Sequence, residues 1–90
     1  MPASTNGIKN TISGEQARAA RGFLDWTRDD LVAASGVSKQ TLIRFESGTT
    51  GTRHAAIIAI RNALEAAGVE FIAENGGGPG VRLRKPAERA

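Results

Sequence analysis

The sequence predicts a mainly α fold, four helices followed by a C-terminal β-hairpin. Three observations carry this expectation. Helix-start chemistry recurs three times, at Ser13, Thr27 and Ser38, each followed by apolar residues at helical spacing. Glycines at 36, 48 and 68 stand where those periodic runs stop. After Gly68 the apolar period changes from that of a helix to the two-residue alternation of a strand.

Each element follows from local chemistry. Ser13 and Gln16 form a capping box, and Ala17, Ala20, Arg21 and Leu24 share one face, which predicts a first helix over Gly14–Leu24. Thr27 and Asp30 form a second box. Trp26 and Leu31 occupy the two positions of a hydrophobic staple, and Asp29 and Asp30 place negative charge at the positive end of the helix dipole, so a second helix is expected over Arg28–Ser35. Gly36 ends it, because a glycine accepts the left-handed conformation that a Cβ resists. Ser38 then caps a third helix, residues 39–47, with Val37 and Leu42 as staple, Leu42 and Phe45 as buried face and Gly48 as stop. Beyond the Gly/Thr loop at 49–52, Ile57, Ile60, Ala63 and Leu64 mark a fourth helix over 53–67. Val69, Phe71 and Ala73 alternate with Glu70, Ile72 and Glu74. The glycine-proline run at 76–80 interrupts, and alternation resumes at Val81, Arg82, Leu83 and Arg84, which reads as a hairpin. A flexible basic tail is the alternative for this segment, and a lone hairpin needs helix 4 or a second subunit to pack on.

Composition narrows the function classes. Ninety residues suffice for one domain with a modest core, and four aromatics leave that core mainly aliphatic. The formal net charge is +3 and the isoelectric point about 10.2, a basic balance that favours a polyanionic partner without identifying one. Cysteine is absent, which removes disulfides and thiolate metal sites and fits a reducing cytosol. No apolar run reaches the roughly 18 residues of a membrane span, and residues 1–11 lack the hydrophobic stretch of a signal peptide. The organisation expected is a flexible arm over 1–11, a helical domain over 12–68, a hairpin extension for dimerisation over 69–85 and a tail over 86–90.

The run from Thr27 to Gly48 contains two helices joined by a three-residue turn with a glycine, the arrangement that carries a second helix into the DNA major groove. It resembles the helix-turn-helix of the phage-repressor/Cro-like (XRE) family, with Leu31, Gly36, Val37, Ser38, Leu42, Phe45, Glu46 and Gly48 matching that pattern. The likeness covers residues 14–69. It implies a four-helix repressor-like domain and an ion pair between Arg21 of helix 1 and Glu46 of helix 3, which is scaffold and not a DNA contact. Two positions depart from the family: Arg28 stands where a glutamine commonly bonds a phosphate, and Val32 where a small alanine commonly lets helices 2 and 3 approach.

The expected function is sequence-specific DNA-binding transcriptional regulation in a bacterium or phage, with repression favoured and a cytoplasmic, nucleoid-associated location. Lys39, Gln40, Thr41 and Arg44 are the candidates for base contacts, because the first turns of a recognition helix face the groove floor. Arg28, Ser38, Thr49, Thr50 and Arg53 are the candidates for backbone contacts. A homodimer on double-stranded DNA is expected, joined through strand pairing or through Ile58, Val69, Phe71, Ile72, Val81 and Leu83. An antitoxin-like DNA-binding subunit and an interaction module without DNA binding are the rival readings, and a polymerase, a toxin or an antiactivator the candidate protein partners. No metal, cofactor or enzymatic activity is expected. His54 has no cysteine or acidic cluster in sequence beside it, the glycine run lacks the lysine of a phosphate loop, and the carboxylates are scattered or assigned to caps.

Overall fold

The computed structural model describes residues 11–74 and 76–84. Residues 1–10 of the expected arm at 1–11, residues 75 and 85 of the hairpin segment and the tail at 86–90 lie outside them. Among the described residues the chain forms α1 (Gly14–Leu24), α2 (Arg28–Ser35), α3 (Lys39–Glu46), α4 (His54–Ala66), β1 (Val69–Ile72) and β2 (Gly80–Leu83). The fold is mainly α with a C-terminal hairpin, as the sequence predicts. Helices 3 and 4 are each shorter than periodicity suggests, because Ser47, Arg53 and Ala67 are cap residues with only half of their backbone in the helix.

The capping chemistry forms as read. The Ser13 hydroxyl accepts from the Gln16 backbone N–H at 3.1 Å, and the Gln16 side chain accepts from the Ser13 N–H at 2.9 Å. Helix α1 ends without a glycine. Asp25 takes the left-handed conformation (φ 58°), a region that short polar side chains tolerate. The Trp26 N–H then bonds the Arg21 carbonyl at 2.9 Å and the Asp25 N–H the Gly22 carbonyl, which closes the helix as a Schellman motif.

Every element contributes to one core. Ala17 and Ala20 of α1, Leu31 of α2, Leu42 and Phe45 of α3, Ile60 and Leu64 of α4 and Val69 of β1 are buried together. Leu31, Leu42, Ile60 and Leu64 are fully enclosed, each worth about 1.5–3 kcal/mol relative to exposure. Ile12 joins them, although it precedes the Ser13 cap and so lies outside any periodic run. The staple residues Trp26 and Val37 pack against this core at half burial.

The hairpin belongs to the same core. Its antiparallel register pairs Val69 with Leu83, Glu70 with Arg82, Phe71 with Val81 and Ile72 with Gly80. Alternation therefore puts Val69, Phe71, Val81 and Leu83 on one face, and Val69, Phe71 and Val81 of that face pack on the helical core. On the other face Arg82 donates to Glu70 at 3.2 Å and holds that carboxyl below its usual range. Polar ties anchor both ends. The Gln16 side-chain amide donates to the Gly80 carbonyl at 3.0 Å, and Arg84 donates to the carbonyls of Gly68 and Glu65 at 2.7 and 2.8 Å. The Arg61 guanidinium, paired with Glu65 at 2.9 Å, lies 5.7 Å from the centre of the Phe71 ring.

The hairpin packs on the helices of its own chain, one of the two supports that the sequence leaves open for it. This packing corrects one expectation. Val69 cannot serve as a dimer contact, because its own chain encloses it completely, whereas Phe71 and Val81 are only partly buried against the same core. Leu83 stays 48% exposed, and Phe23, which helical periodicity leaves off the core face, is 51% exposed.

One close approach sets the angle between α1 and α3. A Cβ built on Gly14 would run into the Phe45 carbonyl oxygen and lie 3.0 Å from the Glu46 Cα, so the first turn of α1 touches the end of α3 backbone to backbone. Gly14→Ala should lower stability by about 1–3 kcal/mol, read as a lower urea midpoint at unchanged m-value. An unchanged midpoint would mean that α1 shifts without cost.

Candidate nucleic-acid interface

The candidate interface is built on α2, the turn at 36–38 and α3. Thr27 caps α2 through reciprocal bonds with Asp30 at 3.1 and 2.9 Å. At the far end Gly36 takes φ 81° and its N–H bonds the Val32 carbonyl at 2.9 Å, which frees the chain to turn within three residues. Ser38 then opens α3. Its hydroxyl accepts from the Thr41 N–H at 3.1 Å and donates to the Thr41 hydroxyl at 2.8 Å.

The two faces of α3 separate cleanly. Leu42, Phe45 and Glu46 point inward and are buried, while Lys39, Gln40 and Arg44 are exposed and Thr41 is half-buried beside them. All four sequence-predicted base-contact residues therefore lie off the buried face. Thr41 and Arg44 also border a cleft of about 180 Å³ whose other wall is Gly51, Thr52, Arg53 and Ala56, so the loop after α3 and the start of α4 close around the same face. Arg53 occupies the N-cap of α4 without a side-chain cap bond, and its guanidinium remains exposed. Thr49 and Thr50 are exposed but do not line that cleft, and the Thr49 hydroxyl lies 3.3 Å from that of Ser47.

Beneath this face sits a buried charge cluster. Glu46 is 1% exposed, and its carboxylate takes the Arg21 guanidinium side-on, with Nε to Oε2 at 2.7 Å and Nη2 to Oε1 at 2.9 Å. Arg21 Nη1 donates to the Trp26 carbonyl at 3.1 Å, so the residue spends all three of its nitrogens on the fold. The pair expected between helix 1 and helix 3 is present. A second arginine joins it, because Arg28 Nε donates to Glu46 Oε1 at 2.9 Å.

Three assignments change in consequence. Arg28, expected only at a phosphate, is also part of the scaffold, though its side chain remains 40% exposed against 18% for Arg21. The Ser38 hydroxyl hydrogen is already given to Thr41, so a phosphate bond from it displaces an existing one. The Lys39 ammonium rests 3.1 Å from Asp29 Oδ1, with both side chains exposed. Such a pair is worth at most about 1 kcal/mol and is readily exchanged for another anion. Neither the Arg28 nor the Asp29 contact has a local sequence signature, since the partners lie 18 and ten positions apart. Thr52 and Gly51 of the cleft likewise carry no sequence signal, because loop residues have no periodicity.

His54 is exposed at the first position of α4. Among the described residues no group of three His, Cys, Asp or Glu side chains is placed to hold a metal ion, and no helix is long and apolar enough to cross a membrane. No family model matches the chain, and no curated protein matches it.

The geometry separates the two arginines energetically. Arg21→Ala removes the bidentate partner of a buried carboxylate and should cost about 3 kcal/mol, measured by chemical denaturation. Arg28→Ala leaves that partner in place and should cost about 1 kcal/mol. Equal losses would contradict the assignment of Arg21 as the principal counter-ion.

Proposed function

We propose that this chain is a sequence-specific DNA-binding regulator of transcription that works as a homodimer, with α3 lying in the major groove. The supporting observation is the division of α3. Its inner face is locked by Leu42, Phe45 and the buried Glu46, while Lys39, Gln40, Thr41 and Arg44 carry donors and acceptors outward from a helix presented by a three-residue turn. Gln40 bonds adenine through its amide, and Lys39 donates to guanine after exchanging Asp29 for the base. Thr41 meets a thymine methyl or a phosphate, and Arg44 reaches base or backbone. Arg28 and Arg53 flank the helix and bond phosphates on either side of it, with Thr49 and Thr50 beside Arg53. Occupying a promoter in this way represses it, in the cytoplasm and on the nucleoid.

A single such helix reads few base pairs, so specificity calls for two copies on half-sites about one helical turn apart. The β2 edge suits the second copy. The Arg84 N–H bonds the Gly68 carbonyl in the register of the hairpin, which makes 68 and 84 a hydrogen-bonded pair. Pairs alternate along an antiparallel ladder, so the backbone groups of Val81 and Leu83 point away from β1. Two such edges related by a two-fold axis are complementary to each other. Exposed Leu83 lies on that strand.

Selection of bound sites from random duplex DNA tests the reading. The chain should enrich a partly palindromic sequence; Gln40→Ala should relax preference at one base position in each half-site, and Arg53→Ala, which removes one phosphate contact per protomer, should weaken all sequences and flatten the salt slope of the dimer by about 1.8. Failure of the wild-type chain to enrich any sequence would sink sequence-specific binding. For the dimer, Leu83→Pro removes an outward N–H while sparing the β1–β2 bonds. Two lost bonds at about 1 kcal/mol each should weaken association about thirtyfold, seen by light scattering. A monomeric wild-type chain at tens of micromolar would overturn it.

A further inference from the structure

Arg28 is held by a buried acid and is still able to bind something else. Its Nε–H is spent on Glu46 Oε1, whereas its two Nη groups have no hydrogen-bond partner among the described residues. Arg21, on the same carboxylate, has no nitrogen left over. The difference in exposure follows the same division, with Arg28 reaching the surface at the first position of α2. A guanidinium is planar and rigid, so a bond at Nε fixes the plane in which the Nη donors lie. Glu46 also stands on α3, so the group that orients Arg28 is carried by the helix proposed to enter the groove.

We infer that Glu46 is a positioning residue for DNA: it aims Arg28 so that the free end of the guanidinium meets a backbone phosphate at a fixed distance from α3. This rests on the DNA-binding reading proposed above. Phosphate oxygens suit those donors because two parallel N–H···O bonds match the guanidinium fork. An arginine tethered in advance loses less freedom on binding than one free in solvent, so the contact gains affinity without additional charge. The tether also ties register to scaffold. A phosphate gripped by Arg28 is gripped relative to Glu46, hence relative to Gln40 and Arg44 on the same helix.

Two predictions separate aiming from simple charge. Replacing Glu46 by glutamine raises the net charge by one, which by itself strengthens binding to a polyanion. Positioning predicts the opposite sign, and predicts that the effect travels through Arg28.

The experiment is a double-mutant cycle on the full chain, with a short random-sequence duplex followed by fluorescence anisotropy across a salt series and thermal melts to establish folding. Glu46→Gln should weaken binding about tenfold in the wild-type background and leave it unchanged in the Arg28→Gln background. Equal weakening in both backgrounds would overturn the inference, because Glu46 would then act only through stability. Arg28→Lys supplies an independent arm should Glu46→Gln fail to fold. It keeps the charge but not the fork, so the salt slope should stay while affinity at fixed salt falls severalfold. Affinity equal to wild type for Arg28→Lys would overturn the inference while leaving DNA binding intact. Absence of binding by the wild-type chain at any salt would overturn the DNA-binding reading and with it this role.

Discussion

The structure depends on one buried carboxylate. Glu46 lies at the end of α3 with almost no solvent contact, and its negative charge is tolerable only because arginines from α1 and α2 converge on it. Three helices are thereby referenced to one point. The hydrophobic contacts of Leu31, Leu42 and Phe45 are directionless, and they would accept α3 at several rotations about its axis. A bidentate bond does not, since it weakens steeply with angle. Which residues of α3 face outward is therefore set by a polar contact inside, with Gly14 admitting the backbone of α1 close enough for Arg21 to reach.

Local chemistry was legible and non-local chemistry was not. Ser13, Thr27 and Ser38 cap the helices they announce, because a cap and its partner lie three residues apart and are read together. Helix boundaries fall within one residue of expectation for the same reason. Asp25 was invisible, since nothing but the chain beyond it requires a left-handed residue there. The α1–α3 contact that forbids a side chain at Gly14, and the Arg28 and Asp29 contacts of Glu46 and Lys39, join positions that only the folded chain brings together. The Arg21–Glu46 pair was anticipated through family resemblance and not through any rule of spacing.

The hairpin illustrates a different limit. Alternation of Val69, Phe71, Val81 and Leu83 announces a strand pair with one apolar face, and the structure contains that pair in the register of the pattern. What the pattern does not encode is whose surface covers the face. A partner subunit and the chain's own helices present the same chemistry to it. Here the helices take it, which turns an apparent attachment into the closing side of the core.

That closing side has a consequence for how the molecule comes into being. The outward-facing helix α3 is fully synthesised by residue 46, yet its support includes Val69 and a bond from Gln16 to Gly80 that spans 64 positions. A nascent chain leaving the ribosome thus carries the exposed side chains of α3 before the residues that complete the core beneath them. In a domain that folds in one cooperative step, folding waits for the last strand. Proteolysis runs the same logic in reverse, since trimming into β1 opens the core under α3. The hairpin is thus the last-made part of a core that every helix shares.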